Sequence, residues 1–203
     1  MDGATTATGV NGAIWNSWTN ALGQAAGGGD LIGSRLVNLY TTNGVQTSIS
    51  LQVTTTGLFA NGLRNGGLTN SPATLGDFAV PSATEDFFYT TTAGSFVVSN
   101  LNPSLTYDFI FFGSRDTAVI RTTQYVAVGL NGSFTNLLQT SGYNNIGYPG
   151  NAGGNLSNTV SILGITPDVN SNITVQVSNF AGGFGYLNTL EIVAVPEPNA
   201  LLL

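Results

Sequence analysis

Residues 101–130, LNPSLTYDFIFFGSRDTAVIRTTQYVAVGL, decide the fold. Between Leu105 and Phe112, an extended chain puts Leu105, Tyr107, Phe109 and Phe111 on one face and Ile110 and Phe112 on the other. Both faces are apolar and both must be covered, so the segment reads as a central strand of a packed β structure. A polar break follows at 113–117. Residues 123–130 then set Thr123, Tyr125 and Ala127 against Gln124, Val126 and Val128, the period of two expected of an adjoining strand.

The same period recurs outward from this pair. Residues 35–53 carry Asn43-Gly44 between two strand-like halves, with Val45, Thr47, Ile49, Leu51 and Val53 on one face, and predict a β-hairpin. Residues 85–91 (EDFFYTT) and 95–101 (SFVVSNL) are further strands, and 125–138 reads as a second hairpin turning at Asn131-Gly132. Residues 160–165, 173–177 and 187–193 complete the set. Two long Gly/Asn-rich loops, 58–77 and 140–159, interrupt it, and long loops are where binding often sits. The opening 13–26, with Trp15 and Trp18, ends in three glycines and reads as an irregular or single-turn segment. No stretch holds a helical period over three turns. The fold expected is an all-β antiparallel two-sheet β-sandwich, a jelly roll, in one domain over 1–194 with a separate tail at 195–203.

Composition narrows the function. Only 7% of the 203 residues are charged, 42% are hydrophobic and glycine occurs 27 times, a balance opposite to that of a disordered chain. The net charge of -6 sets ten acids against four arginines, Arg35, Arg64, Arg115 and Arg121. Nucleic acid and anionic membranes draw their protein partners through clustered cations, so both are excluded as partners. In a chain so short of charge the arginines are candidates for specific placement, and Arg115 and Arg121 with Asp116 are expected to form an inter-loop brace. Cysteine and histidine are absent, which removes disulfides, thiolate or imidazole metal sites and His-dependent catalysis. A Gly-x-Ser-x-Gly elbow is also missing, and Gly27-Gly28-Gly29 lacks the helix and lysine of a phosphate loop.

Carboxylate catalysis would need two acids flanking a scissile bond. The spacing of Asp30, Asp77, Glu85, Asp86, Asp108, Asp116, Asp168 and Glu191 singles out no pair. No cofactor or metal is expected. The exception weighed is one structural calcium ion at Asp108 and Asp116, for which the chain has no Asp-x-Asp-x-Asp loop; salt bridges to Arg115 or Arg121 are the alternative. Loop aromatics are the better clue. Trp15, Trp18, Tyr143, Tyr148, Phe184 and Tyr186 lie in or beside Gly/Asn-rich segments, where rings can offer an apolar face to a sugar while Asn and Thr supply hydrogen bonds. The structural alternative is that the tryptophans cap the core from outside.

The last nine residues, VPEPNALLL, break the β pattern with a Pro-Glu-Pro tripeptide that cannot continue a central strand. Through Val195, Pro196, Glu197 and Pro198 the tail resembles the PEP-CTERM class of bacterial exported proteins, in which this motif precedes a membrane helix and a basic cluster that an exosortase processes. The helix and basic end are lacking here. The resemblance implies a Gram-negative-type exporter, membrane association only through that missing helix, a leader ahead of Met1 and delivery to the cell surface or exopolysaccharide matrix. No signal peptide is visible in residues 1–9.

A second resemblance rests on an ordered set: Leu101-Asn-Pro with Tyr107, Phe111-Phe-Gly-Ser-Arg115, Arg121-Thr-Thr-x-Tyr125, Gly185-Tyr-Leu-Asn188 and Glu191-Ile192. It is similar to galactose-binding-like jelly-roll modules of secreted bacterial proteins, and it implies the fold more than an activity. The expectation is therefore a non-enzymatic surface or biofilm-matrix protein that contacts polysaccharide. A self-assembling subunit of a surface layer or filament is the first alternative, since edge strands here lack charged guards; a carboxylate-dependent glycan-active enzyme is the second.

Overall fold

The computed structural model describes residues 5–18, 29–61, 67–68, 72–148 and 152–196. Among them the strands are β1 (Thr5–Thr8), β2 (Ile14–Ser17), β3 (Arg35–Leu36), β4 (Ser50–Val53), β5 (Phe59–Asn61), β6 (Phe87–Thr90) and β7 (Ala93–Ser99). They continue with β8 (Leu105–Phe112), β9 (Arg121–Gly129), β10 (Gly132–Ser141), β11 (Val160–Ile165), β12 (Ile173–Ala181), β13 (Gly185–Leu187) and β14 (Thr189–Pro196). The helical content described is a 3-10 segment, Ala73–Phe78, and one turn of α-helix, α1 (Pro81–Thr84).

The protein is an antiparallel β-sandwich. One layer is the sheet β10-β9-β12-β7-β4-β3; the other is built from β11-β8-β14 and β13-β6-β5, with β1-β2 as a separate hairpin. The chain changes layers between β7 and β8, β8 and β9, β10 and β11, and β11 and β12, the habit of a jelly roll. The core lies between the layers. Val53, Phe96, Val98, Tyr125, Val175 and Val177 enter it from the large sheet, and Tyr107, Phe109, Phe111, Ile162, Ala60 and Leu187 from the other side.

β8 is covered on both faces, as its two-sided apolar pattern requires. Phe109 and Phe111 are fully buried in the main core, while Phe112 closes a second cluster with Leu68, Leu75, Phe78 and Ala79. Burying one such phenylalanine contributes roughly 1.5–3 kcal/mol. β9 alternates as read, with Thr123, Tyr125 and Ala127 inward. It does not adjoin β8, however: β9 pairs with β10 and β12, and β8 with β11 and β14. Residues 113–120 carry the chain across the sandwich, so Phe111 and Tyr125 meet ring to ring between layers, with centroids 4.4 Å apart at 11°.

Two further expectations, the irregular opening and the single strand 187–193, are corrected. Ile14–Ser17 is a strand paired with Thr5–Thr8, so the opening is a small hairpin and not an irregular or single-turn segment. The 35–53 hairpin is present and turns at Asn43-Gly44, with Gly44 at φ 79°; β3 pairs with β4, Tyr40 bridges Gln46, and Leu39 donates its N–H to the Ile49 carbonyl (2.9 Å). Asn16 also takes the backbone of Tyr40, donating from Nδ2 to its carbonyl (2.7 Å) and accepting its N–H (2.8 Å), and Val45 is exposed. The expected strand 187–193 is two strands in different sheets, β13 and β14. Asn188 divides them, accepting the N–H of Ser114 (2.7 Å) and donating to the carbonyl of Asp86 (2.7 Å). Val195 and Pro196 still pair within β14, Pro196 opposite Leu105, because β14 is an edge strand where a missing N–H is tolerated. Glu197 and Pro198 lie outside the described residues. No helix among the described residues is long and apolar enough to cross a membrane.

Candidate functional site

The small sheet β13-β6-β5 assembles an aromatic row. Its register sets Phe59 and Tyr186 opposite Tyr89 on either side, so three rings line up across three strands. Along β6, alternation puts Phe87 on the same face as Tyr89 and sends Phe88 to the other, where it meets Trp18 with ring centroids 5.3 Å apart. Phe59 stacks on Tyr89 at 5.4 Å, Phe87 meets Tyr186 edge-on at 4.9 Å, and Phe184 lies 6.2 Å from Tyr186 and 6.1 Å from Tyr89. Gly182 and Gly183, both at positive φ (82° and 87°), turn the chain out of β12 so that Phe184 joins the row.

Two arginines cover these rings. The Arg121 guanidinium sits 4.5 Å from the Phe184 centroid and 5.6 Å from that of Tyr186, and its Nη1 donates to the Tyr186 phenol oxygen. The Arg115 guanidinium lies 5.5 Å from the Phe87 centroid. Such cation–π contacts contribute roughly 0.5–2 kcal/mol. Together Phe87, Tyr89, Arg115, Arg121, Phe184 and Tyr186 line an open depression of about 240 Å³. Phe87 and Tyr186 are buried beneath it, whereas Tyr89 and Phe184 are half-buried and border the open space. Burial, then the charge of Arg115, pulls the Arg121 pKa below its ordinary value.

The floor is held from behind. Tyr186 donates its N–H to Thr123 Oγ1 (2.8 Å), and its carbonyl accepts the phenol of fully buried Tyr125 (2.5 Å). Burial pushes the Tyr125 phenol pKa up, so it remains a donor. Gly113 leaves room for this contact: a Cβ there would fall 2.6 Å from both Tyr125 Oη and the Tyr186 carbonyl.

Of the six aromatic residues singled out in the sequence, the structure brings Phe184 and Tyr186 together here. Trp18 packs against Phe88 and Phe96 and donates its Nε1–H to Ser34 Oγ (3.0 Å), a core-capping role. Trp15 packs against Phe78 at 5.5 Å. Tyr143 donates its phenol to the Gln139 carbonyl (3.0 Å) and accepts from Asn158 (3.1 Å), and Tyr148 closes a turn on Asn145. Phe59, Phe87 and Tyr89 were missed; the alternation within EDFFYTT carries the signal for the last two. Asp116 accepts the N–H of Gly153 (2.8 Å) and Asp108 that of Gly164 in β11 (2.7 Å), so they tie a loop glycine and a strand glycine in place of the arginine salt bridges weighed above. Among the described residues no three His, Cys, Asp or Glu gather as a metal site.

A second depression, of about 320 Å³, is lined by Asn11, Gly12, Ala13, Trp15, Thr42, Asn43, Asp77 and Glu191. Spacing alone did not single out its two acids. Burial first, then the Asp77 charge, raises the Glu191 pKa, and Asp77 accepts a hydrogen bond from Asn11 Nδ2 (2.6 Å).

No protein-family model and no curated protein matches the chain. Among solved structures it is similar to the carbohydrate-binding module TmCBM61 in complex with β-1,4-galactotriose, at 12% identity and TM-score 0.35 over 72% of this chain and 88% of that one. It is similar to the xylan-binding domain CBM22-1 of Paenibacillus barcinonensis Xyn10C, at 13% identity and TM-score 0.32 over 86% and 100%. A third likeness, at 12% identity and TM-score 0.33, covers 72% of this chain and 19% of the enzymatically active domain of bacteriophage CBA120 tailspike protein 4. Overlaps this loose carry no residue of those proteins across to this chain.

Proposed function

We propose that this protein is a non-catalytic sugar-binding β-sandwich of the bacterial cell surface or its polysaccharide matrix, and that it binds through the depression over β13-β6-β5. The observation that carries the reading is the convergence of Tyr89 and Phe184, both part-exposed, with Arg121 around one open space. Ring faces take the apolar C–H face of a sugar, and polar groups beside them fix its orientation. Among the described residues no carboxylate lines this depression, so a sugar held there meets binding groups and no acid/base pair of theirs. Export to the surface rests on the tail motif that Val195 and Pro196 open.

A glycan array followed by titration calorimetry tests the site. Phe184→Ala is expected to weaken binding tenfold or more with an unchanged unfolding midpoint, and Tyr143→Ala to bind as the wild type does. Equal loss from both variants, or no retention of any glycan by the wild type, overturns the reading.

Self-association has one observation in its favour. β10 is a ten-residue edge strand without a charged residue, and Phe134 and Leu137 on it are exposed. Sedimentation of the wild type against Leu137→Lys decides it: concentration-dependent assembly abolished by the lysine supports pairing at this edge, and a monomer at all concentrations rules it out.

A further inference from the structure

We infer that the ligand of the β13-β6-β5 depression is an acidic sugar, whose carboxylate pairs with the Arg121 guanidinium while its ring lies against Tyr89 and Phe184. The inference rests on the sugar-binding reading and adds the charge of the ligand.

Its basis is an uncompensated cation. The sequence holds four arginines and no lysine, and two of the four line this one depression. Among the described residues no carboxylate is paired with Arg121. Its contacts are the rings of Phe184 and Tyr186 and the Tyr186 phenol, and its Nε is buried with no hydrogen-bond partner. A buried polar group without a partner is costly, and a guanidinium cannot relieve the cost by losing its proton. An anion from outside the chain that pairs with the guanidinium's open side, at the depression, offsets its charge.

The surroundings choose the kind of anion. A planar guanidinium matches a planar carboxylate with two parallel N–H···O bonds. The rings beside it require an apolar face next to that carboxylate, and a uronic acid residue supplies both. A nucleic acid strand fits poorly, since a protein of net charge -6 repels a dense polyphosphate and has no cation cluster to hold it. The same net charge makes non-specific adsorption to polyanions weak, so retention by one is diagnostic of a local site.

The test embeds polygalacturonate or alginate in affinity gels beside the carboxyl-reduced form of each and dextran sulfate. The wild type is expected to be retarded by at least one carboxylated polymer and to bind its reduced form at least tenfold more weakly. Arg121→Gln should lose tenfold or more on the carboxylated polymer and match the wild type on the reduced one. Arg121→Lys, which keeps the charge without the fork, should fall between them. Unfolding midpoints of the variants exclude misfolding as the cause. Equal wild-type binding to carboxylated and reduced polymers overturns the inference while leaving the sugar site standing. Preference for dextran sulfate assigns a sulfated ligand and overturns it too. Retention by none of the polymers overturns the inference, and the sugar site then stands or falls on the glycan array.

Discussion

The two depressions of this sandwich respond to the same physical forces in opposite ways. Arg121 and Glu191 are each partly desolvated, and each sits near a like charge, Arg115 in one case and Asp77 in the other. In both, burial and neighbour disfavour the ionised form. Glu191 can answer by taking up a proton at a higher pH than an exposed carboxyl would. Arg121 has no such answer, because a guanidinium stays charged throughout the accessible range. The acidic depression can thus shed charge by itself, whereas the acidic sugar proposed above would offset the charge of Arg121.

Substitutions on either side of the core separate the two regions. The largest effect is expected from Phe111→Ala, which removes the ring stacked on Tyr125 from the main core. A loss of about 3–5 kcal/mol in urea unfolding is anticipated. Sugar binding should suffer while the fluorescence of Trp15, which packs on the opposite cluster, changes little. A smaller and more directed change is Tyr125→Phe, which strips the donor from the buried Tyr186 carbonyl. It should cost about 1–3 kcal/mol and weaken sugar binding. If stability falls by that amount and binding does not change, the floor and the site are uncoupled.

Glu191→Gln is expected to have the smallest effect. The folded pKa of Glu191 is raised, so the native state binds more protons than the unfolded chain between the ordinary carboxyl value and the raised one. Stability accordingly falls as pH rises through that window, and the fall is complete above the raised value. The amide removes this slope and leaves the variant slightly more stable at neutral pH, within about 1 kcal/mol because the half-buried group is screened by solvent. A series of urea melts from acid to neutral pH measures it; an unchanged slope would mean that Glu191 titrates as it does in the unfolded chain.

Much of the architecture was legible in particular residues. The apolar residues on both faces of Leu105–Phe112 required that both faces be covered, and the Phe111 and Phe112 clusters cover them. The site was legible only in fragments. Phe184 and Tyr186 stood out because they follow two glycines, whereas Phe87 and Tyr89 looked like ordinary strand residues. Arg121 was expected to brace a loop, and its ring partners lie more than sixty residues further along the chain. Leu187 and Thr189 read as one strand because nothing local shows that Asn188 bonds backbone on two distant segments.

By itself the order of residues determined the period of the strands, the number of apolar faces each must cover and the chemistries that a chain without histidine or cysteine cannot perform. These are local properties, set by which side chains share a face. Tertiary structure alone decided that Phe59, Tyr89 and Tyr186 stand side by side and that Arg121 lies over Phe184 and Tyr186. Period two says which way a side chain points and says nothing of which strand becomes its neighbour. That choice belongs to the pairing of β5, β6 and β13, which packing of the whole core selects.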